Sequence, residues 1–184
     1  MADLMAGDAR FRWIADTMAV RPADRVLEIG PGSSDSIAAI AGRLDDGCYI
    51  GIDRSATAIA RAAERHAPLL ESVRVRMARV GLEQLRPDCV VDGIDFASAG
   101  FDKIVAVNVN LFWTKQPAAE LTLIRQLLGS GGTLNLFYGY GNPDAAGSSP
   151  KPPPGKLVQH LAAADFTART TTAGDLLGII ARPR

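Results

Sequence analysis

Short apolar runs alternate along the chain with longer stretches in which apolar residues recur at three- and four-residue spacing. The runs are too short for helices and several are apolar on both faces. That is the pattern of a mostly parallel sheet covered by amphipathic helices. Residues 8–19 put Phe11, Ile14, Ala15 and Met18 on one helical stripe and predict an opening helix. Strand one follows at 26–29, then a helix at 34–43 for which Ser33 or Ser34 is the N-cap. Strand two is 48–52, and an alanine-rich helix runs from Ser55, its cap, to about His66, with Pro68 marking its end. Strand three is 73–77.

Residues 81–100 mix helix-like and strand-like fragments around Cys89-Val90-Val91 and read as a short helix with an irregular connection. Strand four, 103–107, is β-branched and apolar on both faces, as a central parallel strand must be. Pro117 opens the next helix and Gly129 closes it, ahead of strand five at 133–138. Residues 139–155, which include Pro152-Pro153-Pro154, predict a mobile surface loop where a lid over the sheet edge belongs. A last helix covers 156–164. The runs at 166–172 and 176–181 are joined by so short a stretch around Gly174 that only an antiparallel hairpin can connect them.

The chemistry concentrates where strand one breaks into Gly30-Pro31-Gly32-Ser33-Ser34 and where Asp53 closes strand two. A buried strand ending in glycines before a helix, with an acid at the end of the next strand, is how an α/β sheet holds a nucleoside-bearing cofactor. A dinucleotide site needs glycine at the first, third and sixth positions, and the sixth position counted from Gly30 is Asp35. A carboxylate there repels a pyrophosphate. Glu28, two residues before the first glycine, suits a cofactor that carries a cationic amine. S-adenosylmethionine fits both, and a nicotinamide dinucleotide is disfavoured.

This segment resembles motif I of the class I S-adenosylmethionine-dependent methyltransferases, acid-x-Gly-x-Gly-x-Gly, with Glu28, Gly30 and Gly32 in place and Ser34 replacing the last glycine. Residues 50–55 resemble motif II, residues 101–108 motif IV, and residues 127–134 the turn into the fifth strand. The resemblance implies an α/β, doubly wound, Rossmann-like sheet of seven strands in the order 3-2-1-4-5-7-6, with strand seven antiparallel. It also implies S-adenosylmethionine as cofactor and S-adenosylhomocysteine as product. Carried over by position, Glu28 reaches the methionyl end and Asp53 takes the ribose hydroxyls, while Ser34 donates to the cofactor carboxylate. Pro31, Arg54, Val80 and Asn108 complete the cofactor set, with Val80 or Glu83 beside the adenine. Glu28 paired with an arginine, and Asn108 as a loop-organising cap, are the structural alternatives.

Beyond strand four, Asn108-Val109-Asn110-Leu111-Phe112-Trp113 lacks both prolines of the Asn/Asp-Pro-Pro-aromatic motif with which relatives grip a flipped base. Base methylation is not expected. Trp13, Asn110, Phe112, Trp113, Tyr138 and Tyr140 are candidates for a substrate pocket, with core or rim packing as the alternative. His160, Tyr138 and Asn110 are the candidate catalytic residues. His66 reads as a surface residue, and no nucleophile–base pair is evident.

Composition narrows the partners. With 20 basic and 20 acidic residues the formal charge is zero, so a polyanionic partner is not expected, and Arg74, Arg76 and Arg79 read as a solvated or ion-paired edge. Cys48 and Cys89 form no metal or disulfide pattern, and no metal is expected. Neither a signal peptide nor an apolar run of membrane-spanning length is present, which predicts a cytoplasmic protein with no membrane partner. Residues 1–184 read as a single domain acting on a small molecule. Its pocket is left to be closed by the opening helix, by residues 139–155, or by the second subunit of a homodimer. The alternatives are a cofactor-binding accessory protein without methyl transfer and, less favoured, an NAD-dependent oxidoreductase.

Overall fold

The short apolar runs pair into one twisted sheet in a computed structural model that describes residues 2–96, 100–141, 151–153 and 155–184, without the side chains of residues 2–8. In chain order the strands are β1 (Arg25–Ile29), β2 (Cys48–Ile52), β3 (Val75–Ala78), the two-residue pair β4 (Val90–Val91) and β5 (Ile94–Asp95), β6 (Phe101–Val107), β7 (Leu128–Tyr138), β8 (Phe166–Ala173) and β9 (Leu176–Pro183). The large sheet has the order β3-β2-β1-β6-β7-β9-β8. β9 runs antiparallel to both β7 and β8, and the other neighbours are parallel. Apart from the small β4–β5 hairpin, this is the expected order with its one reversed strand.

The helices are α1 (Ala2–Thr17), α2 (Ser36–Ala41), α3 (Ala56–Arg65), α4 (Ala67–Leu70), α5 (Leu111–Thr114), α6 (Ala118–Leu127) and α7 (Lys156–Ala163). Alternation along the strands sorts the core into two layers, since successive side chains point to opposite faces. Val26, Tyr49, Val105 and Phe137 face α1 and α2, where Phe11, Ile14, Met18, Ile37 and Ile40 meet them. Leu27, Ile29, Ile104 and Leu134 face the other layer, covered by Leu121 and Ile124 of α6 and Leu157 and Leu161 of α7. β1 is thus buried on both sides, and Glu28 is its buried polar residue.

Several boundaries differ from expectation, each for a local reason. Strand three begins at Val75 because Val73 stands 88% exposed. α2 starts at Ser36, capped by Asp35 without a side-chain bond, because Ser34 Oγ already accepts the Ser36 N–H at 3.1 Å. Ser55 does cap α3, accepting from the Ala58 N–H at 3.2 Å, while Pro68 lies inside the single-turn α4 rather than ending the helix before it. Gly129 does not close α6. The chain is extended from Leu128, which pairs with Phe101, so β7 begins five residues earlier than expected, with a register irregularity before Lys103.

Residues 81–100 hold a turn of 3-10 helix at Leu82–Gln84 and the β4–β5 hairpin. Arg76 ties that hairpin to β3 by donating to the carbonyls of Asp92 at 2.9 Å and Gly93 at 3.1 Å. His66 is not a surface residue. It is 6% exposed, and its Nε2 lies 3.0 Å from the Ser34 carbonyl. A carbonyl only accepts, so that nitrogen carries the proton. Most of the expected lid at 139–155 lies outside the described residues. Among the described residues no helix is long and apolar enough to cross a membrane.

Candidate functional site

β1 and β2 end side by side in register, Ile29 opposite Ile52, and the chain then turns through residues that only glycine satisfies cheaply. Gly30 has φ +65° and Gly32 φ +59°. The Gly30 N–H donates to the Ile52 carbonyl at 2.8 Å, which joins the turn to the end of β2. A Cβ on Gly32 would meet nothing within 4 Å, so open space faces the turn there.

Asp53 holds the two strand ends together. Its Oδ2 accepts from the Gly32 N–H at 3.2 Å and its Oδ1 from the Ser55 N–H at 2.9 Å. A carboxylate has about four lone-pair positions, so each oxygen retains one toward solvent, where Asp53 is half-exposed. Directly above lies a cleft of about 480 Å³, lined by Gly30, Asp53, Arg54, Val80 and Asn110, five of the residues expected from sequence. Ile29, Ile52 and Leu82 give it an apolar wall, and Glu83 and Val109 also line it. A volume of this size, lined by polar and apolar side chains alike, is that of a small-molecule or cofactor pocket.

Glu28 is placed otherwise than expected. It is 0% exposed, below the turn rather than in the cleft, and not paired with an arginine. Ser36 Oγ donates to its Oε1 at 2.7 Å and Tyr49 OH to its Oε2 at 2.8 Å. Burial outweighs those two bonds and pushes the Glu28 carboxyl up to about 7, while burial and the neighbouring carboxylate push the Tyr49 phenol well above its ordinary range. Ser36 Oγ is also hydrogen-bonded to Ser34 Oγ, so a buried acid braces the turn from beneath. Pro31, Gly32 and Ser34 belong to this braced turn and do not line the cleft themselves.

Asn108 takes the loop-organising role. At φ +56° it donates Nδ2 to the Gly139 carbonyl at 3.1 Å and accepts the Gly139 N–H at 3.0 Å, clamping the ends of β6 and β7. Tyr138 is buried and its OH donates to the Val109 carbonyl at 3.0 Å. Burial drives its phenol far above its usual pKa, which removes it as a proton acceptor. Phe112 is a fully buried core residue and Trp113 packs on the same layer, so neither lines the cleft. Trp13 stands edge-on to Phe137 at 5.6 Å on the opposite layer. Tyr140 is 53% exposed. His160 Nδ1 donates to the Phe112 carbonyl at 3.0 Å, which leaves the lone pair on Nε2.

Lys115 and Glu120 line the cleft too and were not expected from sequence, because their approach depends on how the single turn of α5 folds back. Residues 27–134 match the family described as a methyltransferase domain, well over half of the chain. The chain belongs to the class I S-adenosylmethionine-dependent methyltransferases. Solved structures share the fold at low identity. The pyocyanin biosynthetic protein PhzM superposes with a TM-score of 0.75 at 14% identity, over 95% of this chain and 54% of that one. A TehB-like S-adenosylmethionine-dependent methyltransferase from Corynebacterium glutamicum gives 0.64 at 16%, over 97% and 88%. The [4+2]-cyclase SpnF gives 0.70 at 18%, over 96% and 81%. This chain therefore spans little more than half the length of PhzM. No curated protein matches it by sequence. The cofactor of this family is S-adenosylmethionine, and the cleft over Asp53 fits it: two positive-φ glycines, open space at the turn, and a carboxylate with lone pairs to spare.

Proposed function

We propose that the chain methylates a small-molecule nucleophile and holds S-adenosylmethionine across the ends of β1, β2 and β6. The observation that carries this reading is Asp53, fixed by two backbone N–H groups at the mouth of the cleft and still able to accept a pair of vicinal hydroxyls. In it Asp53 and Arg54 meet the ribose, and Gly30, at the start of the braced turn, faces the methionyl part. Val80 and Glu83 flank the adenine, and Asn110 lies on the acceptor side.

When bound, the cofactor supplies a sulfonium that makes its methyl carbon electrophilic. The protein's own task is to align the acceptor and exclude water, a positioning effect worth roughly 7–11 kcal/mol. Tyr138 keeps its proton on the Val109 carbonyl and takes no part in proton transfer. His160, with Nδ1 anchored on Phe112, is our candidate for holding the acceptor's proton at Nε2. Acceptors that are already nucleophilic, such as a thiol, phenolate, enolate or amine, need little more.

One observation favours a second reading, cofactor binding without methyl transfer: the Tyr138 phenol is committed to a backbone carbonyl and offers no acid or base. Calorimetric titration with S-adenosylhomocysteine and NAD, followed by labelled-methyl transfer to a panel of small nucleophiles, tests both. Saturable S-adenosylhomocysteine binding and transfer to one acceptor class are expected. Binding without transfer to any acceptor favours the second reading, and saturable NAD binding without S-adenosylhomocysteine binding overturns both.

A further inference from the structure

Arg10 is a half-buried cation with a buried donor that no described group meets. On α1 it stands with its guanidinium carbon 4.2 Å from the Phe11 ring centroid and 5.9 Å from that of Tyr140. Nη1 donates to the Gly139 carbonyl at 3.3 Å, an oxygen that also accepts from Asn108. Its Nε is buried with no hydrogen-bond partner among the described residues. Burial pulls its pKa below the ordinary arginine value, and Tyr140, Asp175 and Asp35 draw it back up. Neither carboxylate is hydrogen-bonded to it. Asp175 Oδ2 accepts the Tyr140 N–H at 2.9 Å, and Asp35 is paired with Arg65 at 2.7 Å. A guanidinium held between aromatic rings with unfilled donors is costly unless an anion meets it, and its planar fork matches a carboxylate.

Its place in the sheet identifies which carboxylate. Asp53 ends β2, and Gly139 follows the end of β7, three strand steps away in the order β2-β1-β6-β7. At roughly 4.8 Å per step that is about 14 Å from the ribose side, beyond the β1 and β6 ends across which the cofactor lies in the reading above. We propose that Arg10 binds a carboxylate of the methyl acceptor beside the end of β7, with Tyr140 as the exposed aromatic surface next to it. The assignment rests on the methyltransferase reading and deepens it by naming a substrate class.

Benzoate and its neutral counterpart benzamide, titrated calorimetrically into protein saturated with S-adenosylhomocysteine, test it without any substitution. Benzoate is expected to bind and benzamide to bind at least about tenfold more weakly, as loss of a charge-assisted pair requires. Arg10→Gln should weaken benzoate by about tenfold or more and leave S-adenosylhomocysteine within about twofold, with Arg10→Lys intermediate because it keeps the charge and loses the fork. Equal binding of the two probes, or no binding of benzoate, overturns the proposal. So does a tenfold loss of S-adenosylhomocysteine affinity in Arg10→Gln, which would assign Arg10 to the cofactor's own carboxylate. Failure of the unaltered protein to bind S-adenosylhomocysteine is a different result and sinks the methyltransferase reading instead.

Discussion

The Gly32 N–H donates to Asp53 Oδ2 at 3.2 Å, joining the glycine turn after β1 to the acid that ends β2. Two turns 21 residues apart in sequence are thereby one hydrogen-bonded unit. The bond presets the carboxylate before any ligand arrives, so less ordering has to accompany binding.

Asp53→Ala removes both the acceptor of the hydroxyls and the partner of two backbone N–H groups. S-adenosylhomocysteine affinity should fall about ten- to a hundredfold, the usual worth of hydrogen bonds to a charged group. Calorimetry measures the affinity and a thermal melt measures the accompanying loss of stability. An unchanged affinity in a folded variant would remove Asp53 from the site.

Glu28 makes stability depend on pH. Its folded pKa, about 7, lies above the ordinary carboxyl value of 4.5, so between those values the native state holds a proton that the unfolded chain has released. Stability therefore falls as pH rises from about 4.5 to about 7 and levels off beyond, by at most about 3 kcal/mol from this group. Glu28→Gln should flatten that slope, since the Ser36 and Tyr49 hydroxyls can turn to accept from the amide. Urea unfolding at pH 5 and pH 8 in both proteins reads the difference, and parallel slopes would refute it.

Gly30 and Gly32 share a left-handed backbone and differ in surroundings. Gly32→Ala should cost about 1–2 kcal/mol, the backbone penalty alone, because its Cβ meets no atom within 4 Å. Gly30→Ala should cost more, because its Cβ would lie 3.3 Å from Val109 Cγ2. Adding Val109→Ala should recover part of that excess for Gly30→Ala and none for Gly32→Ala. Chemical denaturation of the single and double variants checks the coupling, and purely additive effects at Gly30 would deny the contact.

Tyr138→Phe strands the Val109 carbonyl, which should cost about 1 kcal/mol of unfolding free energy. Val109 lines the cleft, so a small shift in S-adenosylhomocysteine affinity should accompany it, without a loss of binding. Denaturant unfolding and calorimetry on the same preparation measure the two. An unaltered midpoint would show that the hydroxyl holds nothing.

The strands, their order and the terminal hairpin were legible because each depends on neighbours close in sequence. β1 and β6 are buried on both faces, and the stretch around Gly174 is too short for a crossover. The place of the cleft was legible for a related reason: Gly30 and Asp53 fall at strand ends, and parallel strands bring their ends to one edge whatever the details of packing. Residues 81–100 resisted because the hairpin is held by Arg76 reaching from β3, a contact with no local signature.

Tertiary structure alone decided what the polar side chains touch. Glu28, legible as an acid near a cofactor amine, is turned into the β2 side of the core, where Tyr49 and Ser36 occupy its oxygens. Asn108 is spent on Gly139, His66 on Ser34, and Arg10 stands over an edge reached only once α1 packs across β7. Backbone periodicity determines the strand and its face, because those follow from the geometry of consecutive residues. The partner of a charged side chain depends on distant segments whose angles and separations are set by the packing of the whole core.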